Sequence, residues 1–285
     1  FMIVLFSVLF TRENRPPESS VVNDVPVAGK TQAVLSLPDG RQVALGNEKE
    51  QDTAWMKYVE ACTIESKATT EPADIKIEVA RGGEYKIRLE DGTTVWLNSE
   101  SSLIYPEKFT GDKRAVRLSG EGYFEVARDE KKPFIVSVTD MEIKVLGTKF
   151  NVTAYQDEKM TTTTLISGAV EVVTPHRSVQ LQPGKQAMVQ EGGDDITVLE
   201  VDVELATSWT AGIFKFDKMA LTDICTRLSR WYDIDFVFEG ETGKEKFTGG
   251  TWKYVPLKDF LSKIERVTNV LFLFENNTVK VVPKK

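Results

Sequence analysis

The sequence predicts a mostly β chain: an antiparallel sandwich- or barrel-like domain, then a small α+β domain. Three observations predict it. From Tyr85 to about Val203, short alternating apolar and polar runs follow one another, punctuated by Gly, Pro and Asp. Strands at that spacing build sandwiches and barrels. An Asp-Gly pair stands between alternating runs twice, in Ala33–Leu45 and in Tyr85–Leu97, and this is the strongest short hairpin signal. Helical spacing enters only after Trp209, first with Leu221, Ile224, Cys225, Leu228 and Trp231, then with Leu257, Phe260, Leu261, Ile264 and Val267.

The elements follow in chain order. Phe1–Phe10 is apolar but too short to span a bilayer, which takes about 20 residues. It does not open on a start methionine, so the chain reads as cut from a longer one. Residues 1–10 are expected to be the outer end of a transmembrane helix. A signal peptide fits less well, because no small-residue cleavage site follows; a buried strand is the plain alternative. Arg12 and Arg15 mildly oppose an outward exit, since positive charge prefers the cytoplasm. Residues 11–29 are polar and contain prolines, the composition of a stalk. Residues 30–81 are expected to be an extra hairpin and a long loop, since Gly46–Glu78 has little periodicity. Leu35, Leu37, Asp39, Gly40, Val43 and Leu45 align at one constant offset with Ile87, Leu89, Asp91, Gly92, Val95 and Leu97, which predicts two hairpins of similar build.

Residues 82–206 are expected to form the sandwich. Within it, Val145-Leu-Gly-Thr-Lys-Phe-Asn-Val152 breaks rhythm. Ile143 and Val145 hold odd positions, Phe150 and Val152 even ones. Alternate side chains of a strand face opposite ways, so a slip of one turns the strand over. The slip falls at Leu146-Gly147-Thr148, where a glycine in a strand marks a bulge or a close backbone approach. Residues 207–285 read β-α-β-β-α-β-β. Gly212–Phe216, Ile234–Phe238 and Phe247–Trp252 are strands, Pro256 opens the second helix, and Asn276-Asn277 turns a last hairpin.

Composition excludes several kinds of chemistry. The 285 residues are 41% hydrophobic and 28% charged, with net charge −7, an ordinary globular composition without the basic surface that nucleic acid needs. Cys62 and Cys225 are too few for a disulfide scaffold and not spaced as a metal site. Cys225 fits a small core hydrophobe, although a bridge between the two stays open. His176 is the one histidine, so a histidine triad or a multi-histidine metal site is excluded. Gly192-Gly193 and Gly249-Gly250 lack the lysine and helix of a phosphate loop. No cofactor or metal is expected. Glu121 and Glu125 share a strand face, but four residues span about 13 Å, beyond the roughly 5–9.5 Å of a glycosidase pair. Among Trp96, Trp209, Trp231, Tyr232 and Trp252 a sugar-stacking platform is conceivable, with Trp231 placed in the core by its helical period. Asn151-Val-Thr153 matches a glycosylation triplet, a common chance occurrence.

Several strings then belong together. They are Leu89-Glu-Asp-Gly-Thr-Thr-Val-Trp-Leu-Asn98, Ser101-Ser-Leu-Ile-Tyr-Pro106, Leu118-Ser-Gly-Glu-Gly-Tyr-Phe-Glu-Val-Ala127, Lys132-Pro-Phe-Ile-Val136, Val145–Val152, Leu181-Gln-Pro-Gly-Lys-Gln186, Trp209-Thr-Ala-Gly-Ile-Phe-Lys-Phe216 and Leu228-Ser-Arg-Trp-Tyr232. As an ordered set they resemble the FecR family of membrane-bound anti-sigma regulators, in the form common in Bacteroidetes, from about Gly82 onward. The last portion resembles the short domain of secretins and TonB-dependent transducers.

The resemblance implies an inner-membrane, single-pass protein with residues after about 11 in the periplasm. It implies a periplasmic sensor that receives a signal from the signalling domain of a TonB-dependent outer-membrane transporter. An extracytoplasmic-function sigma factor would be held by a cytoplasmic domain absent from this sequence, and released by intramembrane and periplasmic proteases. Strand edges suit a partner that adds a strand. The candidates are Phe247 and Trp252 on one strand, and Leu271, Leu273, Val279 and Val281 on the terminal hairpin. Some FecR-like regulators cut themselves at a Gly-Thr like Gly147-Thr148, the threonine hydroxyl attacking the preceding carbonyl in a single turnover. A purely structural bulge is the other reading of that pair, and otherwise the chain is expected not to be an enzyme. A carbohydrate-binding β-sandwich module is the alternative function.

Overall fold

The computed structural model describes residues 4–6, 28–46, 74–139 and 141–284. They fall into two compact units, Thr31–Ala206 and a second that joins Phe1–Lys30 to Thr207–Lys285. Strand β1 is the three-residue Val4–Phe6 of the second unit. The first unit holds β2 (Lys30–Ser36), β3 (Gln42–Gly46), β4 (Asp74–Val79), β5 (Gly83–Arg88), β6 (Thr94–Leu97), β7 (Ser101–Pro106) and β8 (Arg114–Glu125). It continues with β9 (Phe134–Ser137), β10 (Glu142–Val145), β11 (Lys149–Ala154), β12 (Met160–Ser167), β13 (Val170–Val173), β14 (Ser178–Leu181), β15 (Lys185–Gln190) and β16 (Ile196–Glu200).

Six strands of the first unit close a ring, in the order β8-β6-β5-β2-β4-β7 and back to β8. The hairpin β2–β3 is therefore part of the barrel through β2, and Asp74–Val79 is a ring strand, where the sequence predicts for 30–81 an extra hairpin and a long loop. Its apolar face explains this: Leu35, Leu37 and Leu45 bury in the same core as Ile77, Leu97 and Leu103. Both Asp-Gly hairpins are built alike, as their constant offset predicts. Leu37 N–H bonds Arg41 O at 2.9 Å and Leu89 N–H bonds Thr93 O at 2.8 Å. Gly40 and Gly92 both have φ 85°, and Asp39 and Asp91 each accept the N–H two residues on, at 3.0 Å. A left-handed glycine after a short turn is the three-residue hairpin solution.

Strand β8 organises everything else. It alternates buried residues with half-buried or exposed ones over twelve positions. Its first half pairs with β7 and β9, its second half with β6 and β11. Gly120 sits at the change of neighbours with φ 91°, and a Cβ there would lie 2.3 Å from Ser101 Oγ and 2.7 Å from Glu100 O. Two wings leave β8. One runs β9-β10-β13-β14, the other β11-β12-β15-β16. Phe124, Phe134 and Phe150 fill the core beneath them, Phe124 stacked on Phe150 at 5.0 Å.

The second unit has the order foreseen. A short helix α1 (Val203–Thr207) and a 3₁₀ turn (Ser208–Ala211) lead into β17 (Ile213–Ala220), α2 (Leu221–Tyr232), β18 (Asp235–Phe238), β19 (Lys246–Trp252), α3 (Leu257–Val267), β20 (Val270–Glu275) and β21 (Thr278–Pro283). Leu221, Ile224, Cys225, Leu228 and Trp231 of α2 and Leu257, Phe260, Leu261 and Ile264 of α3 are buried in one core, the predicted faces. One sheet is β1-β19-β17, the other β18-β21-β20. Val4–Phe6 runs parallel to Phe247–Gly249, an extended backbone in place of the helix end expected there. The rest of 1–10, nearly all of the 11–29 stalk, and Cys62 lie outside the described residues. No helix among the described residues is long and apolar enough to cross a membrane.

Candidate functional site

The parity slip at Leu146-Gly147-Thr148 is a corner. Before it, β10 pairs with β9 and β13; after it, β11 pairs with β8 and β12. The chain therefore leaves one wing and enters the other at these three residues, and strands that switch sheets do so through bends and bulges. The bulge itself lies opposite. Lys149 faces Ser167 and Phe150 faces Leu165, leaving Ile166 as the extra residue of β12. β12 then makes the return crossing to β13 at Gly168, with φ 95°.

The two crossings touch. A Cβ on Gly168 would stand 2.8 Å from Thr148 Oγ1 and 3.0 Å from Gly147 O. A Cβ on Gly147 would stand 2.7 Å from Arg128 Cβ and 2.8 Å from its Cα. Gly147 is thus demanded by space, and its φ is not positive. Thr148 is 4% exposed, and its hydroxyl donates to Ala169 O at 2.8 Å. Thr148 O accepts from Val126 N–H and Leu146 O from Asp129 N–H. The partner of this hydroxyl is a carbonyl, which is no base.

The other polar candidates have partners of their own. Glu121 accepts from Asn98 Nδ2 at 2.8 Å, Asn151 Nδ2 at 3.0 Å and Thr153 Oγ1 at 3.3 Å. Glu125 pairs with Lys149 Nζ at 2.8 Å, which raises the Lys149 pKa. Burial and then the Glu125 charge raise that of Tyr123. Asn151 of the glycosylation triplet is 2% exposed with its amide given to Glu121, so the folded protein offers no sugar acceptor there. His176 is exposed in a turn, 3.6 Å from Asp194. Cys225 is a free buried thiol, its pKa pushed far up by burial.

Of the tryptophans, Trp209 and Trp231 are buried, while Trp96 is half-buried, with Tyr123 edge-on at 5.3 Å and Lys86 Nζ 4.6 Å over its ring. Lys86 thus occupies one face of the Trp96 ring. Sequence reasoning missed the Asp91–Arg114 pair. Arg114, 3% exposed, reaches Asp91 Oδ2 and Ala127 O at 2.8 Å and Lys132 O at 2.9 Å. It ties the second Asp-Gly turn to the loop beside the corner.

The strand-edge candidates separate. Val279 and Val281 are fully buried and belong to the central strand β21, and Phe247 is buried. Trp252 is half-buried on β19, which lies between β1 and β17. Leu271 and Leu273 are exposed, at 36% and 46%. Leu273 faces Lys280, which faces Val237 on β18, and Val237 is also 46% exposed. Exposed Leu273 and Val237 thus flank Lys280, which pairs with Glu275 at 2.7 Å, across the outer face of this sheet. On the β20 edge, Glu265 Oε1 accepts the Phe272 N–H at 2.7 Å. The β18 edge is barer: Asp235 and Glu239 turn their N–H groups to β21, so Phe236 turns its own outward. Among the described residues no strand pairs there. Val237 was not singled out from sequence, because one apolar residue in an alternating strand gives no sign of which face is covered.

Known proteins agree with this architecture. Residues 75–171 match the family described as FecR protein, and residues 213–281 match FecR, C-terminal. Two crystal structures of a candidate anti-sigma factor from Parabacteroides distasonis ATCC 8503 are similar at 30% identity, with TM-scores of 0.68 and 0.69. Each alignment covers 74% of this chain, and 99% and 100% of those chains. No curated protein matches. The chain belongs to the FecR family, whose anti-sigma role implies a sigma factor as partner.

Proposed function

We propose that the chain is the periplasmic sensor part of a membrane-bound anti-sigma factor. It receives a signal from the signalling domain of a TonB-dependent outer-membrane transporter and controls an extracytoplasmic-function sigma factor held elsewhere in the full protein. The observation that carries this is the sheet β18-β21-β20, in the region matching the FecR C-terminal family. It combines a strand edge that no strand among the described residues pairs with and exposed Val237, Leu271 and Leu273. Strand addition gives affinity through backbone bonds and specificity through alternate side chains.

The reading places the membrane anchor on the N-terminal side and the described domains in the periplasm, within reach of periplasmic proteases, with an intramembrane protease completing release of the sigma factor. It assigns no multiple-turnover chemistry to the chain. At Gly147-Thr148 it allows one self-cleavage. Thr148 Oγ1 attacks the Gly147 carbonyl carbon, the amide nitrogen takes the proton as the C–N bond breaks, and water hydrolyses the ester. The hydroxyl's one bonded partner among the described residues, Ala169 O, is no base, and the step occurs once. The halves stay together, because β10 and β11 are each held by two neighbours.

The test is capture of envelope proteins by the whole chain and by a Val237→Glu/Leu273→Glu variant. One TonB-dependent transporter retained by the first and lost from the second supports the reading. Capture of polysaccharide and no transporter refutes it.

A further inference from the structure

The second unit contains residues from both sides of the first. The described residues before Thr31, 4–6 and 28–30, cluster with those from Thr207 onward. The joint is specific. Gly29 is buried, and a Cβ there would stand 2.5 Å from Cε3 and 2.7 Å from Cδ2 and Cζ3 of Trp231. That ring has no room to yield. It is 1% exposed, its Nε1 donates to Lys253 O at 2.7 Å, Lys253 Nζ lies 3.7 Å from its centroid, and Tyr254 meets it edge-on at 5.7 Å. Ala28 packs on the same core. The same unit receives the chain again where Val4–Phe6 lies along Phe247–Gly249.

We propose that Gly29 against Trp231 is a clamp, by which the C-terminal domain holds the segment leading toward the N-terminus, and that partner binding opens it. The proposal rests on the sensor reading above and gives it a route. Trp231 is in the last turn of α2, and only Tyr232, Asp233 and Ile234 separate it from β18. Asp233 turns the chain with φ 50°. A strand added to β18 therefore acts four residues from the ring that pins Gly29. A ligand shifts a two-state element by its differential affinity for the states, so a partner that favours the released clamp must bind a pre-released clamp more tightly. The signal then passes from the C-terminal domain to the N-terminal segment directly, and the 176 residues of Thr31–Ala206 need carry none of it.

The experiment compares the full protein with Gly29→Leu, and with Gly29→Ala should leucine disturb folding. Hydrogen exchange is read at 28–30, and a sigma-dependent reporter is read in cells. The expected result is exchange at 28–30 at least tenfold faster, with protection in Ile75–Leu97 and Leu221–Tyr232 unchanged, and a reporter active without inducer. Unchanged exchange at 28–30, or loss of protection throughout α2, overturns the clamp. Faster exchange with a reporter still dependent on inducer overturns its signalling role while leaving the sensor reading intact. A wild-type reporter indifferent to the inducing nutrient sinks the sensor reading and the signalling role together, and exchange still decides the clamp.

Discussion

Thr148 and its two glycines show what single residues decide. If Thr148 cuts the chain, purified protein on a denaturing gel splits into pieces ending and starting at Gly147-Thr148, and Thr148→Ala stays whole. A Thr148→Ala protein that still splits removes the hydroxyl from the chemistry. Gly168→Ala adds a Cβ 2.8 Å from Thr148 Oγ1 at a left-handed φ and loses stability, by about 1–3 kcal/mol on the strain alone, read by urea denaturation. Arg114→Ala leaves the mostly buried Asp91 carboxylate, 12% exposed, without its cation and costs about 2–4 kcal/mol, below the full penalty for a wholly buried pair. Arg117→Ala, whose pair with Asp74 is more than half exposed, costs about 0–1 kcal/mol. Equal losses in the two variants would contradict the burial argument.

Cys225 gives a pH sign. Its folded pKa is raised above the ordinary 9.0 by burial, so its contribution is intact below that value and stability falls as pH rises above it. Alkylation of Cys225 is accordingly slow in folded protein at pH 8 and fast in denaturant. At this scale the sequence revealed Cys225 as core and Gly147 as special, because period and rhythm are local. It hid Gly168 and Arg114, whose partners lie 20 and 23 residues away in Thr148 and Asp91.

Among the elements, hairpins were the most legible. Asp-Gly turns need one left-handed glycine and one side-chain acceptor, and both requirements are written within five residues. The parity slip was legible as an irregularity but not as a crossing between wings, since a strand's partners are not encoded in its own alternation. For the same reason the terminal hairpin misled. Val279 and Val281 have the alternation of an edge strand, yet β21 is central because β18 arrives from 43 residues earlier and pairs in parallel. The edge that remains predicts a graded effect. Val237→Glu and Leu273→Glu each weaken capture of the transporter's signalling domain with unchanged folding, while Val279→Glu destroys the core. Equal folding loss from all three would place that face inside the protein.

For the whole molecule, the sequence revealed a β domain followed by βαββαββ, because helical and strand periods differ and Trp209 marks their change. It did not reveal that Leu35 and Leu45 complete the barrel, nor that Gly29 belongs with Trp231. Both are contacts between distant segments, and nothing in the local pattern of Ala28-Gly29 distinguishes a clamp from a stalk. Ring closure through β2 predicts that deleting the β2–β3 hairpin unfolds the first unit, a loss visible in near-ultraviolet circular dichroism.

The central claim is that the sheet β18-β21-β20 receives a transporter's signalling domain. Its most direct test is affinity, by titration calorimetry, of the full chain for the N-terminal signalling domain of the TonB-dependent transporter recovered by capture. The account predicts saturable binding that Val237→Glu/Leu273→Glu abolishes. Binding that this double variant leaves unchanged, or no binding by the wild-type chain, would contradict it.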